Sequence, residues 1–248
     1  MMQGAVCHGV PAALLPTGVG RGPYAYQTFR DLIDAYRFDR PAGFTVKLEG
    51  EATATVYYLV SGWLVLSKST ANGHRQIVDV VLPGGILDPV SADACTSIVE
   101  IEPLTDVSFA AVPREDWHRM LSENPSITRE IDIINRAAIA RMFERMLRLG
   151  KGSAESIIAF AIYELHLRST VLGMTDGYRL RIPMTQQQLG DFCGLSAVHV
   201  CRTLRRLKRH GVLEVTDHMD IRIRDIDALT EIAGIDPDAL RQEIIPAA

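Results

Sequence analysis

Between about Phe44 and Val112 the hydrophobic positions fall in short runs rich in Val, Ile and Tyr, separated by turn signals such as Asn72-Gly73. Such runs predict strands, and their close spacing without a long helical pattern is typical of an all-β sandwich or jelly-roll barrel. We therefore expect a β domain over residues 23–125. Residues 1–22 are rich in Gly, Pro and Ala and are predicted to form a flexible arm.

Residues 126–149 change to helical spacing, with apolar residues every three or four positions and charged residues between them. A helix of this length extends about 35 Å. Its narrow apolar stripe is typical of a coiled-coil seam between two subunits, so residues 126–150 are predicted to form a dimerisation helix. The alternative is a helix packed only on its own domain. The candidate dimer-interface residues are Ile127, Ile131, Ile134, Ala138, Met142, Met146 and Leu149.

Gly150 and Gly152 interrupt this pattern and are predicted to form a hinge. Ser153 can then cap a second helix. We expect residues 151–230 to form a C-terminal domain and residues 231–248 to be a C-terminal extension of it.

Two short helices joined by a turn are predicted inside this C-terminal domain. Thr185 and Gln188 have the spacing of a capping box, so a helix begins there. Gly194 provides a residue that tolerates the left-handed conformation of a tight turn, and Ser196 can cap the second helix, which ends near Gly211. The apolar stripe predicted to anchor the second helix consists of Val200, Leu204 and Leu207, and a small hairpin, or wing, follows in the segments VLEV and DIRIR.

Charge is distributed unevenly along the chain. The net charge is −4, but residues 178–210 contain seven Lys and Arg against one Asp, a local charge of +6 that leaves −10 for the rest. Phosphate attraction is local and screened by salt, so a basic patch on an acidic protein favours double-stranded DNA as the partner.

The second helix divides into two parts by position. Its N-terminal end is the part that reads base edges in the major groove, which points to Ser196, His199 and Arg202. Arginine can make the bidentate contact with guanine that is the commonest specific pairing. Arginines further along are placed to meet phosphates. The candidate DNA-binding residues are therefore Ser196, His199, Arg202, Arg205, Arg206 and Arg209, with Thr185 and Gln187 from the first helix.

The chain resembles the CRP/FNR superfamily of bacterial transcription regulators from about residue 40 to residue 225. The resemblance rests on QLGDFCGLSAVHVCRTLRRLKRHGVL, on YYLVSGWLVLSK and on ILDPVSADACTSIVEIEPLTDVSFAAVPREDWHRML. It implies an α+β protein with an N-terminal β-roll of the cyclic-nucleotide-binding type, a long dimerisation helix and a C-terminal winged helix-turn-helix. It also implies a homodimer that binds a two-fold-related, palindromic operator and recruits or blocks RNA polymerase.

The sequence departs from the family at both of its binding sites. The base-reading positions fall on Val198, Cys201 and Arg202, and only the arginine is retained. In the cyclic AMP-binding members, a Gly-Glu pair holds the ribose and an arginine holds the phosphate. The corresponding effector-pocket candidates are Gly84, Gly85 and Cys95, with Thr96 beside it, so the charge-assisted bonds are lost and no control by cyclic AMP is expected.

The four cysteines are scattered without a Cys-x-x-Cys pair, so no disulfide framework, metal site or bound cofactor is predicted. Cys201 beside Arg202 suggests a redox switch, with a small tolerated residue as the simpler interpretation. Haem held by Cys7, His8, His74 or Cys95 is a second hypothesis, and a Cys95 nucleophile with His74 as base is an enzymatic one. Neither has a supporting motif, and we expect a regulator rather than an enzyme. A ligand-binding module without DNA binding is a further alternative, against which the basic second helix argues.

Composition excludes other classes of protein. The chain is 47% hydrophobic and 23% charged, as in ordinary globular proteins. No run approaches the roughly 18 apolar residues of a membrane span. The N-terminus lacks the positive charges that begin a secretory signal. A cytoplasmic location and no membrane partner are therefore expected.

Overall fold

The computed structural model of the chain describes residues 23–92, 95–216 and 219–246. The predicted flexible arm and Cys7 lie outside these residues. The described part is an α+β protein with an N-terminal β domain, a long central helix and a C-terminal domain of short helices with a small sheet, as the sequence predicts. None of the described helices has both the length and the apolar character needed to cross a membrane.

The N-terminal domain is a roll of two antiparallel sheets. One sheet has the strand order β1-β7-β2-β5 and the other the order β4-β3-β6. Tyr57 and Leu59 of the first sheet and Leu64 and Ile101 of the second share one buried core. The strands are β1 (Arg37–Arg40), β2 (Thr55–Ser61), β3 (Leu64–Ser69), β4 (Arg75–Val81), β5 (Ile86–Leu87), β6 (Glu100–Pro103) and β7 (Val107–Pro113).

Two helices flank the roll: α1 (Pro23–Ala35), which the strand pattern does not reveal, and α2 (Arg114–Glu123). Phe29 of α1 lies edge-on to the ring of Tyr58, with ring centroids 5.3 Å apart, and also contacts Trp117 of α2. Together they form a second core on the outer face of the first sheet.

The long helix α3 spans Pro125–Lys151. Its first two turns pack into the core formed by α1 and α2, where Ile127 and Ile131 are buried among Phe29, Ile33 and Trp117. These two isoleucines therefore cannot form part of a seam with a partner, and the prediction needs correction there. The helical period identifies an apolar face, but it does not say whether that face is covered by the same chain.

The apolar residues in the first half of α3 are buried, whereas those in its second half are exposed. Met142, Phe143 and Met146 are 50%, 62% and 64% exposed, and Ile139 is 49% exposed. These four residues recur at i, i+3, i+4 and i+7 and form one face, here called the α3 stripe. Sequence reasoning included Met142 and Met146 but missed Ile139 and Phe143. Ile134 and Ala138 are only partly buried.

The C-terminal domain begins after a sharper break than the sequence indicates. Helix α3 continues through Gly150 to Lys151, so the interruption is confined to Gly152 and Ser153. Ser153 Oγ accepts a hydrogen bond from Ser156 N at 3.2 Å and caps α4, as predicted. The elements that follow are α4 (Ala154–Val171), β8 (Arg179–Arg181), α5 (Gln186–Cys193), α6 (Ala197–Arg209), β9 (Leu213–Thr216), β10 (Asp220–Ile223), α7 (Ile226–Ala233) and α8 (Pro237–Ile244).

The predicted C-terminal extension is built into the core of this domain. Leu240 and Ile244 of α8 are buried in the same cluster as the apolar residues of α4. Arg141 of α3 donates a long hydrogen bond of 3.5 Å to the carbonyl oxygen of Ile244. Residues 231–246 are therefore a structural part of the C-terminal domain and not an appendage.

The two domains share one hydrophobic core. Val65, Ile77 and Val80 on the sheet β4-β3-β6, with Trp63 just before β3, are buried together with the residues of α4. Phe192 of α5 belongs to the same cluster. A large apolar interface between domains restricts their relative motion. The β-roll therefore supports the C-terminal domain directly.

Candidate DNA-binding site

The helix pair α5–α6 is held by the local signals that the sequence predicts. Thr185 Oγ1 accepts a hydrogen bond from Gln188 N at 3.1 Å, and Gln188 Oε1 accepts one from Thr185 N at 2.9 Å, which confirms the capping box. Gly194 has φ 65° and ψ 30°, the left-handed conformation expected of the turn. Ser196 Oγ accepts a hydrogen bond from His199 N at 3.3 Å and caps α6.

A second glycine that sequence reasoning missed brings the turn close to α5. A Cβ atom on Gly190 would lie well inside van der Waals distance of the carbonyl oxygen of Leu195. Since the clashing atom belongs to the backbone, it cannot swing away, and only glycine fits there. The signal was present, because an isolated glycine within a predicted helix often marks a close approach.

Helix α6 is anchored by the stripe predicted from its period. Val200, Leu204 and Leu207 are all buried. The helix ends at Arg209. Gly211 follows with φ 73°, and its backbone N–H donates to the carbonyl of Lys208 at 3.1 Å. The opposite face is left to solvent.

The candidate DNA-binding residues are exposed on α5 and α6: Thr185, Gln187, Ser196, His199, Arg202, Arg205, Arg206 and Arg209. Local hydrogen bonds already fix the orientation of several of them. Ser196 Oγ lies 3.0 Å from His199 Nδ1, and Gln187 Nε2 donates to Asp191 Oδ1 at 2.8 Å. A side chain held in advance loses less conformational entropy when it binds a base or a phosphate.

The local charge of +6 counts two arginines that have carboxylate partners outside the counted segment. Arg206 Nε lies 2.6 Å from Glu155 Oε1 of α4, and Arg179 Nε donates to Asp220 Oδ1 at 3.0 Å. Both partners come from elements distant in sequence, so a count along the chain misses them. Arg202, Arg205 and Arg209 form no ion pair within the described residues.

A three-stranded sheet of order β8-β10-β9 completes the domain, and its β9–β10 hairpin is the predicted wing. Met219, the residue before β10, has φ 58°, an unusual value for a residue other than glycine. Its side chain is buried, and its carbonyl accepts a hydrogen bond from Ile182 N at 3.1 Å. The strand before α5 is therefore tied to the wing.

The effector-pocket candidates lie in backbone-bonded loops of the β-roll. Gly84 N donates to the carbonyl of Leu59 at 2.8 Å, and the carbonyl of Cys95 accepts from Thr53 N at 2.7 Å. A Cβ atom on Gly85 would collide with Val81. Thr96, like Cys95, is exposed. None of these four side chains carries the carboxylate or the guanidinium that a cyclic nucleotide needs.

The remaining candidates are His74 and the cysteines. His74 is exposed in the β3–β4 hairpin, and the part of the chain that the structure describes contains no group of three His, Cys, Asp or Glu able to hold a metal ion. Burial raises the pKa of the Cys193 thiol to about 12, so this thiol is unreactive. Cys201 is half-buried on α6, and its redox role stays a prediction.

Two known protein families match the two halves of this architecture. The model of the Crp-like helix-turn-helix domain matches residues 156–232, and that of the cyclic nucleotide-binding domain matches residues 39–124. The nitrogen fixation regulation protein FixK of Bradyrhizobium diazoefficiens is 30% identical over 176 residues, which cover 70% of this chain and 72% of that protein. The chain belongs to the CRP/FNR family of transcription regulators.

A further relative and a solved structure extend the comparison. The transcriptional activator protein FnrL of Cereibacter sphaeroides is 25% identical over 200 residues, which cover 79% of this chain and 80% of that protein. The structure of FixK2 from Bradyrhizobium japonicum has the same fold, with a TM-score of 0.71 at 22% identity over 81% of this chain and 98% of that one. As a CRP/FNR regulator the protein binds DNA through its helix-turn-helix, and it belongs to a family of regulators rather than enzymes.

Proposed function

We propose that this CRP/FNR regulator acts as a homodimer that binds a palindromic operator in a sequence-specific way and recruits or blocks RNA polymerase there. The observation that carries the proposal is the exposed face of α6, with Ser196, His199 and Arg202 at its N-terminal end and Arg205 and Arg209 further along. We expect the first group to read bases and the second to bind phosphates.

The α3 stripe supports the homodimer. Four large apolar side chains at helical spacing are exposed on a helix whose other face is buried. Contiguous exposed apolar surface on a regulator marks an interaction site. A second copy of α3 offers the same stripe, so a two-fold-related pair buries both, and a two-fold protein suits a palindromic site.

The proposal is tested by the salt dependence of DNA binding. Fluorescence anisotropy with a duplex that the protein enriches from a randomised pool gives the affinity at several salt concentrations. Each phosphate contact adds about −0.9 to the slope of log affinity against log salt concentration. An affinity that barely changes with salt would contradict phosphate binding by α6. Equal affinities for the palindrome and for a duplex with one half-site scrambled would contradict the homodimer.

Arg202→Ala should weaken binding by about 1–3 kcal/mol and relax specificity at one base-pair position, because the bidentate contact with guanine is lost. The affinities of the variant and the wild type are measured for a panel of duplexes with single base-pair changes. Arg205→Ala is the matched control. Because Arg205 is expected to contact a phosphate, its replacement should lower affinity for all duplexes alike and reduce the salt slope by about 1. A uniform loss of affinity with Arg202→Ala would show that Arg202, like Arg205, binds a phosphate and not a base.

We further propose that cyclic AMP does not control this regulator. Gly85 stands where the ribose-binding carboxylate is found in cyclic AMP-binding members, and Cys95 stands where their phosphate-binding arginine is found. Isothermal titration calorimetry of the purified protein with cyclic AMP should give no micromolar binding. Binding in that range would overturn the proposal.

A further inference from the structure

Five charged side chains meet in the interior where β4, α3 and α4 come together: Asp79, Arg141, Arg145, Glu164 and Arg168. Arg145 Nη2 lies 2.7 Å from Asp79 Oδ1 and 2.8 Å from Glu164 Oε1, so one guanidinium joins the β-roll to the C-terminal domain. Arg168 Nη1 lies 3.1 Å from the same oxygen of Glu164. We call these five residues the junction cluster.

The junction cluster also binds the backbone of β4. This strand lies at the edge of its sheet, so its outward carbonyl groups have no neighbouring strand. Arg145 Nη1 donates to the carbonyl of Val78 at 2.8 Å, and Arg168 Nη2 donates to that of Val80 at 2.8 Å. Arginines of α3 and α4 therefore take the place of a neighbouring strand and fix both helices to β4.

Further contacts extend from α3 and from β4 to the helix-turn-helix. The guanidinium carbon of Arg145 lies 4.9 Å from the centre of the Phe192 ring. Gln76 Nε2 donates to the carbonyl of Phe192 at 3.2 Å, in the last turn of α5. Leu149 of α3 packs against the turn itself, since a Cβ on Gly194 would lie 2.8 Å from its Cδ2. The helix-turn-helix is thus held by the β-roll as well as by its own domain.

We infer that Asp79 and Gln76 of the β-roll are positioning residues for operator binding, because they set the orientation of α5 and α6 relative to α3. The inference rests on the proposed function. In a dimer joined along α3, this orientation determines the separation of the two recognition helices, which must match half-sites about 34–36 Å apart. A buried ion cluster adds little net stability compared with apolar residues, but it can specify one geometry over others.

The test compares two duplexes: the palindrome that the wild-type protein enriches from a randomised pool, and the same duplex with one half-site scrambled. Asp79→Asn should bind the palindrome about tenfold more weakly and Gln76→Ala about threefold more weakly. Both should bind the scrambled duplex as the wild type does, since each single helix-turn-helix is intact. Glu49→Gln is the matched control, because it removes an ion pair with Lys68 on the same sheet at 2.8 Å, away from α5.

The two duplexes separate a positioning role from a merely structural one. A variant that only destabilises the fold loses affinity for both duplexes together. Gln76→Ala removes no buried charge and keeps the test open if Asp79→Asn fails to fold. The positioning role would be overturned if Gln76→Ala left the ratio of the two affinities unchanged. That would happen if neither affinity fell or if both fell by the same factor. A wild type that shows no preference for the palindrome would instead contradict the proposed homodimer, and the inference with it.

Discussion

Glu164→Gln should lower the free energy of unfolding by about 3–5 kcal/mol, the usual cost of removing one partner from a buried ion pair. Glu164 is fully buried, and its carboxylate receives Arg145 Nε at 3.0 Å and Arg168 Nη1 at 3.1 Å. Without its charge, three guanidinium groups would face Asp79 alone. Urea denaturation followed by tryptophan fluorescence measures the loss, because Trp63 lies in the core that the two domains share.

The matched control for this variant is Glu214→Gln. Glu214 pairs with Arg224 at 2.7 Å, but both side chains are more than two-fifths exposed. An exposed ion pair contributes about 0–1 kcal/mol, so the control should unfold almost as the wild type does. A loss of similar size in both variants would show that the junction cluster has no special role in stability.

The same cluster predicts how stability depends on pH. Burial alone would raise the pKa of Asp79, but Arg145, Arg141 and Arg168 outweigh it and lower the pKa from 3.8 to about 2. The pKa of Glu164 is also lowered, since the same guanidinium groups outweigh its burial. A carboxyl group with a lowered pKa stabilises the fold above its ordinary pKa. The contribution of Asp79 should therefore be complete above about pH 4 and lost as the pH falls towards 2.

Phe143→Glu combined with Met146→Glu should convert the protein to a monomer and reduce affinity for the palindrome by about 100-fold or more. The two glutamates would place four carboxylates in the centre of a two-fold seam, where desolvation and like-charge repulsion both oppose association. Loss of the dimer also removes the gain from binding two half-sites at once, which amounts to about 10²–10⁴-fold. Sedimentation velocity gives the oligomeric state, and anisotropy gives the affinity.

Phe44→Glu combined with Leu48→Glu is the control for this pair. Phe44 and Leu48 are exposed apolar residues of the β-roll, 64% and 54% exposed, and they lie outside α3. The control adds the same charge and removes similar apolar surface, so it should leave the dimer intact. If the control dissociates and the α3 variant does not, then the interface lies on the β-roll.

Local signals made the helix-turn-helix predictable. The capping box at Thr185, the turn at Gly194 and the cap at Ser196 each depend on residues no more than four positions apart, and each is present in the structure. The β-roll was similarly accessible, because alternation and turn residues are local features. The fold class therefore followed from short-range patterns together with the family resemblance.

The parts that could not be predicted depend on which distant segments meet. A period of 3.6 residues marked Ile127 and Met146 as members of one seam, but the first is covered by α1 and the second is exposed. The charge count missed Glu155 as the partner of Arg206 for the same reason. Asp79, within the apolar strand QIVDVVL, gave no sign of its partners, which lie more than sixty residues further along the chain.

The short length of the α3 stripe has a consequence for how the regulator responds to its own abundance. The stripe covers about two turns, because the start of α3 is already occupied by α1 and α2. If the seam extends no further than this stripe, the dimer buries little apolar surface and dissociates when the protein is dilute. Where monomers predominate, the amount of dimer grows with the square of the protein concentration. A twofold change in synthesis would then change the amount of dimer almost fourfold, and promoter occupancy with it while the operator is far from saturated, so that expression level itself would act as an input signal.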